Sequence, residues 1–302
     1  MIKEYEFSVA EDNVGKRLDV VISDVTKVTR SAIKTNLKSI LINGKIAKLS
    51  YKCRINELVK IVLEWPDIDI LPEDIPLDIV YEDDNYIVIN KKQGMVVHPA
   101  KGHYSGTLVN ALMGMKKISL DADVRPGIVH RLDKDTSGLI VVTKNIEAHE
   151  YLSGLFRNRK VRKVYKAILK GRMMPLSIRV DTNIGRDQRS RKKMTVLKTG
   201  GKESLSIFRV MKHFDNITLA AINIKTGRTH QIRVHASSIG YPVLGDPVYS
   251  RKDKRYPEST LCLLSSRISF FDKFSNQLLD FKVKLPKHFK DVLLRDTIEK
   301  TV

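Results

Sequence analysis

Short apolar runs rich in β-branched residues recur along the chain after residue 83, and amphipathic stretches interrupt them. The apolar runs predict strands at 84–90, 138–144, 164–171, 218–226 and 267–273. The amphipathic stretches predict helices at 106–115, 145–158 and 229–240. Because strands outnumber helices and do not alternate with them regularly, residues 78–298 are expected to form an α+β domain. Its sheet should be mixed and mainly antiparallel, with flanking helices.

The N-terminal part of the chain has a different pattern. Ser31–Leu41 is amphipathic and predicts a helix, Asn43-Gly44 predicts a hairpin turn, and Leu58–Leu63 predicts a strand. Residues 13–64 are therefore expected to form a small basic α/β module. The segment 65–77 holds three prolines and several acids without a base, which is typical of an extended linker.

Charge narrows the class of partner. The 302 residues include 54 Lys and Arg against 34 Asp and Glu, a formal charge of +20, which favours a polyanion such as RNA, a membrane surface or an acidic protein. Basic runs lie at 27–54, 157–172 and 184–194. If the polyanion is RNA, the candidates for backbone contact in these runs include Arg30, Lys34, Lys38 and Arg186.

Other features exclude several classes of protein. No apolar run approaches the roughly 20 residues of a membrane-spanning helix, so we expect a cytoplasmic protein without membrane contact. Cys53 and Cys262 are too few for a disulfide framework or a thiolate metal site.

The segment GIVHRLDKDTSGLIVVTKN (127–145) concentrates ionisable residues in a turn before an apolar strand. A calcium loop starting at Asp133 would need a bidentate Glu twelve positions along, where the chain has Lys144. Two readings stay open on the residues alone. The turn is either a solvated structural turn, or it presents a carboxylate that acts at a sugar carbon without a metal.

These residues carry a family resemblance. VHRLDKDTSG resembles the HRLD motif of the RluA-type pseudouridine synthases, and 94–112, 162–171 and 224–249 are similar to further family blocks in the same order. The N-terminal KRLDVVIS, TRSAIK and ILINGK resemble an S4 RNA-binding domain. RPGIVHRLDKDTSG with such a module is most similar to the RluD subgroup, which implies uridines of 23S ribosomal RNA as targets.

The resemblance also implies roles for single residues. Asp133 would be the essential acid, either attacking C1′ of the flipped uridine or removing a C2′ proton; both roles need an ionised carboxyl. Arg233 would pair with it, and Tyr165 would stack on the base. Arg131 would help to extrude the base, with His130 beside it as a further RNA contact. The resemblance implies no cofactor and no metal, and we expect a monomer.

The helix expected to carry Arg233 should begin near Thr229, with Thr226 or Thr229 as its cap, and end at Gly240. Its spacing places Arg233 off the apolar face. A non-catalytic RNA-binding or ribosome-assembly factor remains an alternative, and a nucleoside hydrolase would release free uracil.

Overall fold

The computed structural model describes residues 2–65, 71–99, 103–115, 127–190 and 193–298. The chain divides into two compact units, Met1–Asp69 and Ile70–Val302. The division falls within the segment expected to be a linker, 65–77, of which residues 66–70 lie outside the described ranges. No helix in those ranges is long and apolar enough to cross a membrane.

The described part of the first unit is a four-stranded antiparallel sheet with two helices. Its elements are β1 (Ile2–Ser8), α1 (Leu18–Thr26), α2 (Arg30–Asn36), β2 (Leu37–Ile42), β3 (Lys45–Ile46) and β4 (Leu58–Glu64). The strand order is β1-β4-β2-β3, and Leu18, Ile22, Ile33 and Ile61 are among the buried core residues. The unit begins before residue 13, where the module was expected to start. Strand β1 belongs to it, because β1 pairs with β4 along its whole length.

The helix predicted over Ser31–Leu41 is wrong in its second half. Thr29 caps α2 by accepting a hydrogen bond from the Ala32 amide, but the helix ends at Asn36. From Leu37 the chain is a strand, in which Ile40 and Ile42 alternate into the core. The apolar spacing fits both periods, and pairing with β4 favours the strand. The predicted Asn43-Gly44 hairpin turn is confirmed, since both residues have positive φ between β2 and β3.

The second unit is a mixed, mainly antiparallel α+β structure, as predicted. Its described elements are β5 (Ile79–Glu82), β6 (Tyr86–Lys91), α3 (Leu108–Gly114), β7 (Ser137–Thr143), α4 (Ile146–Arg157), β8 (Arg162–Lys170), β9 (Ser177–Arg186), β10 (Met194–Leu197), β11 (Lys202–His213), β12 (Ile217–Ile224), α5 (Gln231–Ser238), β13 (Leu263–Asp272), β14 (Gln277–Lys282) and α6 (Lys287–Ile298). The sheet order is β10-β9-β11-β12-β8-β13-β7-β6-β5, with β14 on β13. Within this described sheet, only the β13–β7 pair is parallel.

Alternation along the strands gives the sheet two apolar faces. Ile87 and Ile89 of β6 pack in a cluster that includes residues of α3 and α5. Tyr86 and Val88 of the same strand face the opposite cluster, which contains residues of α4. The sheet therefore has helices on both faces.

The strand register places the predicted site residues near one another. Ser265 of β13 pairs with Tyr165 of β8 on one side and with Gly138 of β7 on the other. Asp133 lies five residues before Gly138, in the turn that leads into β7. A Cβ on Gly138 would lie 2.3 Å from the Ser265 carbonyl oxygen, so the close approach of β7 to β13 requires glycine there.

Candidate active site

Helix α5 is held at its start by a glutamine. Gln231 Oε1 accepts hydrogen bonds from Thr226 Oγ1 (2.7 Å) and the Arg228 amide (3.0 Å), and its Nε2 donates to the Leu205 carbonyl (3.0 Å). The residue before the helix is His230, in a left-handed conformation (φ 56°), and its side chain does not cap. The prediction that Thr226 or Thr229 caps the helix is therefore wrong.

Arg233 of α5 is buried between two carboxylates. Its Nε and Nη2 donate to Asp246 at 2.7 and 2.9 Å, and its Nη1 lies 3.4 Å from Asp133 Oδ2. Burial alone would lower the pKa of Arg233, but Asp246 and Asp133 raise it above its ordinary value. The sequence places Arg233 off the apolar face of the helix, and the structure buries it there because Asp246 neutralises its charge.

Asp246 is one of the site residues that the sequence did not indicate. Its side chain is fully buried, and its Oδ1 also accepts hydrogen bonds from the amides of Val248 (2.8 Å) and Tyr249 (3.0 Å). Burial alone would raise the pKa of Asp246, but Arg233 and these amides more than offset that effect and lower it. The Gly245-Asp246-Pro247 turn was the available signal, although an aspartate before proline is common in turns.

The turn that carries Asp133 is fixed by the chain that follows β6. The Thr136 amide donates to the Asp133 carbonyl (3.1 Å), while the Lys134 carbonyl accepts from the Gly94 amide (2.9 Å) and from Lys91 Nζ (3.1 Å). Lys91 is almost completely buried, and burial lowers its pKa to about 8. The backbone position of Asp133 is therefore set by a turn with few degrees of freedom.

Asp133, Tyr165 and Arg233 line one cleft, together with Arg131 and His230. The cavity between them has a volume of about 80 Å³. The Asp133 side chain is 20% exposed, so its carboxylate can meet a ligand while it faces Arg233. Burial raises the pKa of the Tyr165 hydroxyl, which is therefore neutral at physiological pH.

A histidine and a tyrosine complete the side of the cleft near Asp133. His230 Nε2 lies 3.9 Å from Asp133 Oδ2, and its Nδ1 is 2.9 Å from the Tyr249 hydroxyl. The Tyr249 ring lies 5.2 Å from the Arg233 guanidinium carbon, as in a cation–π contact. Neither residue was predicted from the sequence to belong to the site.

The two residues before Leu132 differ in their surroundings. Arg131 is exposed and lines the cleft. The His130 ring stacks on Phe156 (centroids 4.6 Å apart), and its Nε2 accepts a hydrogen bond from the Val141 amide (3.0 Å). Burial lowers the pKa of His130 to about 3, so the ring is neutral. In the described ranges no group of three or more His, Cys, Asp or Glu side chains is arranged to hold a metal ion.

The remaining predicted RNA contacts lie away from Asp133 in the sequence. Arg30 and Lys38 belong to the first unit and pair with Asp19 (2.6 Å) and Glu64 (3.2 Å). Lys34 is exposed on α2, and Arg186 is exposed at the end of β9 in the second unit. Their contact with RNA stays a prediction.

His235 of α5 gives the second unit a specific acid sensitivity. Its Nδ1 lies 2.9 Å from Ser206 Oγ and its Nε2 3.0 Å from Ser204 Oγ, and burial lowers its pKa to about 4. The folded protein then binds fewer protons than the unfolded chain between pH 4 and about 6.5, so stability falls as the pH is lowered through this window. We expect His235 to account for about 3 kcal/mol of that loss.

The measurement is the free energy of unfolding in urea at pH 7, 5.5 and 4.5. The variant His235→Gln is expected to be less stable at pH 7 but to lose less stability on acidification. Exposed His103→Gln is the control and should follow the wild type. An acid dependence of His235→Gln equal to that of the wild type would contradict the assignment.

Comparison with known proteins identifies the family. A family model described as RNA pseudouridylate synthase matches residues 85–238. Ribosomal large subunit pseudouridine synthase D of Borreliella burgdorferi is 39% identical over 296 residues, which cover 94% of this chain and 90% of that protein. The protein of the same name from Zymomonas mobilis is 36% identical over 299 residues, covering 93% and 94%.

A solved structure agrees with these matches. Human RNA pseudouridylate synthase domain containing 4 is 26% identical, covers 72% of this chain and 92% of that chain, and superposes with a TM-score of 0.57. The sequence matches, the shared fold and the cleft around Asp133 lead to one conclusion. The chain belongs to the RNA pseudouridylate synthase family and is an isomerase that converts uridine in RNA to pseudouridine.

Proposed function

We propose that this synthase modifies uridines of large-subunit ribosomal RNA, as a cytoplasmic monomer, with Asp133 as its catalytic residue. The observation that carries the assignment of Asp133 is its position in the cleft, 20% exposed and 3.4 Å from the buried Arg233. Three relatives that each cover 90% or more of this chain are named for the large ribosomal subunit, which supports the choice of RNA.

The reaction needs a carboxylate, a stacking surface and a fixed cation. After the target uridine is flipped out of its helix, the bond between N1 and C1′ breaks, the uracil turns, and C5 bonds to C1′. The proton on C5 is then lost and N1 gains one, so the atoms balance and product is an isomer of substrate. Asp133 either bonds to C1′ until C5 displaces it, or removes a proton from C2′ and returns it.

Both routes depend on Arg233 in the same way. Its guanidinium is held by Asp246 and aims one nitrogen at Asp133, so the positive charge needs little reorganisation during the reaction. Tyr165 also lines the cleft, and its neutral ring offers a surface on which the detached uracil can stack while it turns. To Arg131, an exposed residue of the cleft lining, we assign the filling of the gap that the flipped base leaves.

The choice of RNA is tested by mapping pseudouridines across total RNA from cells with and without the gene. We expect specific sites in large-subunit ribosomal RNA to disappear in the deletion strain and to return when the wild-type gene is supplied. Restoration should fail with a gene that encodes Asp133→Asn. Loss of sites confined to transfer RNA would contradict the proposed target.

We further propose that the first unit is an S4-like RNA-binding domain over about residues 13–64, joined by a linker at 65–77 to the catalytic domain at 78–298. Two helices on a small sheet, with exposed Lys34 on α2 and Lys38 on β2, support this proposal. Each lysine that meets a phosphate contributes roughly 0.7 to 0.9 to the slope of log affinity against log salt.

The double substitution Lys34→Gln/Lys38→Gln is therefore expected to weaken RNA binding and to reduce the salt slope by roughly 1.4 to 1.8. Binding to a ribosomal RNA fragment is measured between 50 and 200 mM salt. The control Lys212→Gln/Lys282→Gln removes two charges from the second unit and should keep the wild-type slope. Equal slopes for all three proteins would exclude these lysines from phosphate contact.

A further inference from the structure

A second cavity adjoins the cleft on the side of α4. It shares Tyr165 and Arg131 with the cleft and extends to the end of α4 and to the loop between β12 and α5. The basic residues that line it are Arg131, Arg157, Arg159, Lys163, Lys225 and Arg228. Among the described residues of this lining there is no Asp or Glu. The cavity is therefore a concave surface of one sign of charge.

Lys163 lies on the same strand as Tyr165. It is two positions before Tyr165 on β8, so both side chains project from the same face, with their Cα atoms about 7 Å apart. Its Nζ is 5.4 Å from the centre of the Phe156 ring, the ring on which His130 stacks. A Cβ on Gly227 would lie 3.9 Å from the same nitrogen. The ammonium therefore lies between α4 and the loop that leads to Arg233.

In the part of the chain that the structure describes, no carboxylate pairs with the Lys163 ammonium. Burial lowers its pKa to about 8, which shows that the protein surroundings disfavour the ammonium form. Glu203 pairs with Arg159 at 3.3 Å, but it is 77% exposed and does not line the cavity. A partly buried cation among other cations costs stability, and a bound anion removes that cost.

We propose that this cavity binds a backbone phosphate of the RNA next to the target nucleotide, with Lys163 as its central cation. The inference rests on the proposed role of Tyr165, because a base stacked on Tyr165 brings its own chain past Lys163. Arg157 and Arg228 also line the cavity, and the Phe156 ring lies beside the ammonium. The ligand is a phosphodiester rather than a base, since the lining is cationic.

The test combines a protein variant with a charge removed from the RNA. The substrate is a short RNA that the wild-type protein converts, whether or not it comes from large-subunit ribosomal RNA. A series of copies replaces one phosphodiester near the target uridine by an uncharged methylphosphonate. Dissociation constants and conversion rates are measured for the wild type and for Lys163→Met.

We expect Lys163→Met to bind the unmodified RNA roughly tenfold or more weakly, since a charge-assisted hydrogen bond is lost. On RNA with the methylphosphonate at one linkage beside the target, the variant and the wild type should bind equally. Lys163→Arg should retain most of the affinity. The proposal would be overturned if Lys163→Met lost the same affinity for every RNA of the series, or if it lost no affinity at all.

The control is a lysine in a similar setting outside the cavity. Lys212 Nζ lies 4.9 Å from the centre of the Phe214 ring. The variant Lys212→Met therefore removes a cation–π contact of the same kind but does not change the cavity lining. It should leave RNA affinity unchanged. Thermal unfolding separates binding from folding: Lys163→Met should unfold at the wild-type temperature or above it, because a buried charge is removed. A clearly lower unfolding temperature would make Lys163 a structural residue and contradict the proposal.

Discussion

Replacing Asp133 by asparagine is expected to abolish pseudouridine formation while the fold and RNA binding are retained. Asparagine has the same shape, but it neither attacks C1′ nor removes a proton from C2′ at neutral pH. A positioned acid–base group contributes roughly 10²- to 10⁴-fold to a rate, and a nucleophile is needed in every turnover, so the loss should be at least about 10²-fold. The measurement is pseudouridine formed in RNA by single-turnover kinetics.

The neighbouring aspartate provides the matched control. Asp135 lies two residues away in the same turn but lines a different pocket from Asp133, so Asp135→Asn should keep the activity within a fewfold of the wild type. Near-wild-type activity of Asp133→Asn would refute a catalytic carboxylate at this position. If the wild type and Asp133→Asn both bound RNA and neither of them modified it, the chain would act as an RNA-binding factor instead.

Replacing Asp246 by alanine is expected to destabilise the second unit by about 3 to 5 kcal/mol, because it leaves the Arg233 guanidinium buried without its main partner. The amides of Val248 and Tyr249 also lose their acceptor. Activity should fall as well, since Arg233 is no longer held toward Asp133. The measurements are the free energy of unfolding in urea and the single-turnover rate.

A paired substitution separates stability from catalysis. Changing both partners, Arg233→Met with Asp246→Leu, removes the buried charges together and should recover most of the stability lost in Asp246→Ala. The activity should stay low, because no cation then faces Asp133. Recovery of activity in the double variant would show that Arg233 is dispensable, and full stability of Asp246→Ala would show that the ion pair does not hold α5.

The sequence predicts those parts of the fold that depend on local pattern. The runs at 84–90, 138–144, 164–171, 218–226 and 267–273 all contain strands, because β-branched residues buried on both faces have few alternatives to a central strand. The three amphipathic stretches of the second unit contain α3, α4 and α5. Leu37–Ile42 was misassigned because its apolar spacing fits a helix until β4 pairs with it.

Only part of the site could be predicted from the sequence. Asp133, Tyr165 and Arg233 were named from motifs, and the structure places all three around one cleft. Asp246 was missed because its role depends on burial against a residue 13 positions earlier, which no local pattern reveals. In the sequence, Lys163 is one of several basic residues in the run 157–172. Its position in the lining of the cavity is what distinguishes it from a solvated lysine.

In the proposed mechanism the Asp133 carboxylate acts on the ribose of a flipped uridine. The decisive measurement is a crystal structure of the Asp133→Asn protein bound to RNA that contains the target uridine. We expect an everted nucleotide with its base against Tyr165 and the residue 133 side chain within about 4 Å of C1′ or C2′. A target uridine still stacked in its helix, or an everted sugar bound away from position 133, would contradict it.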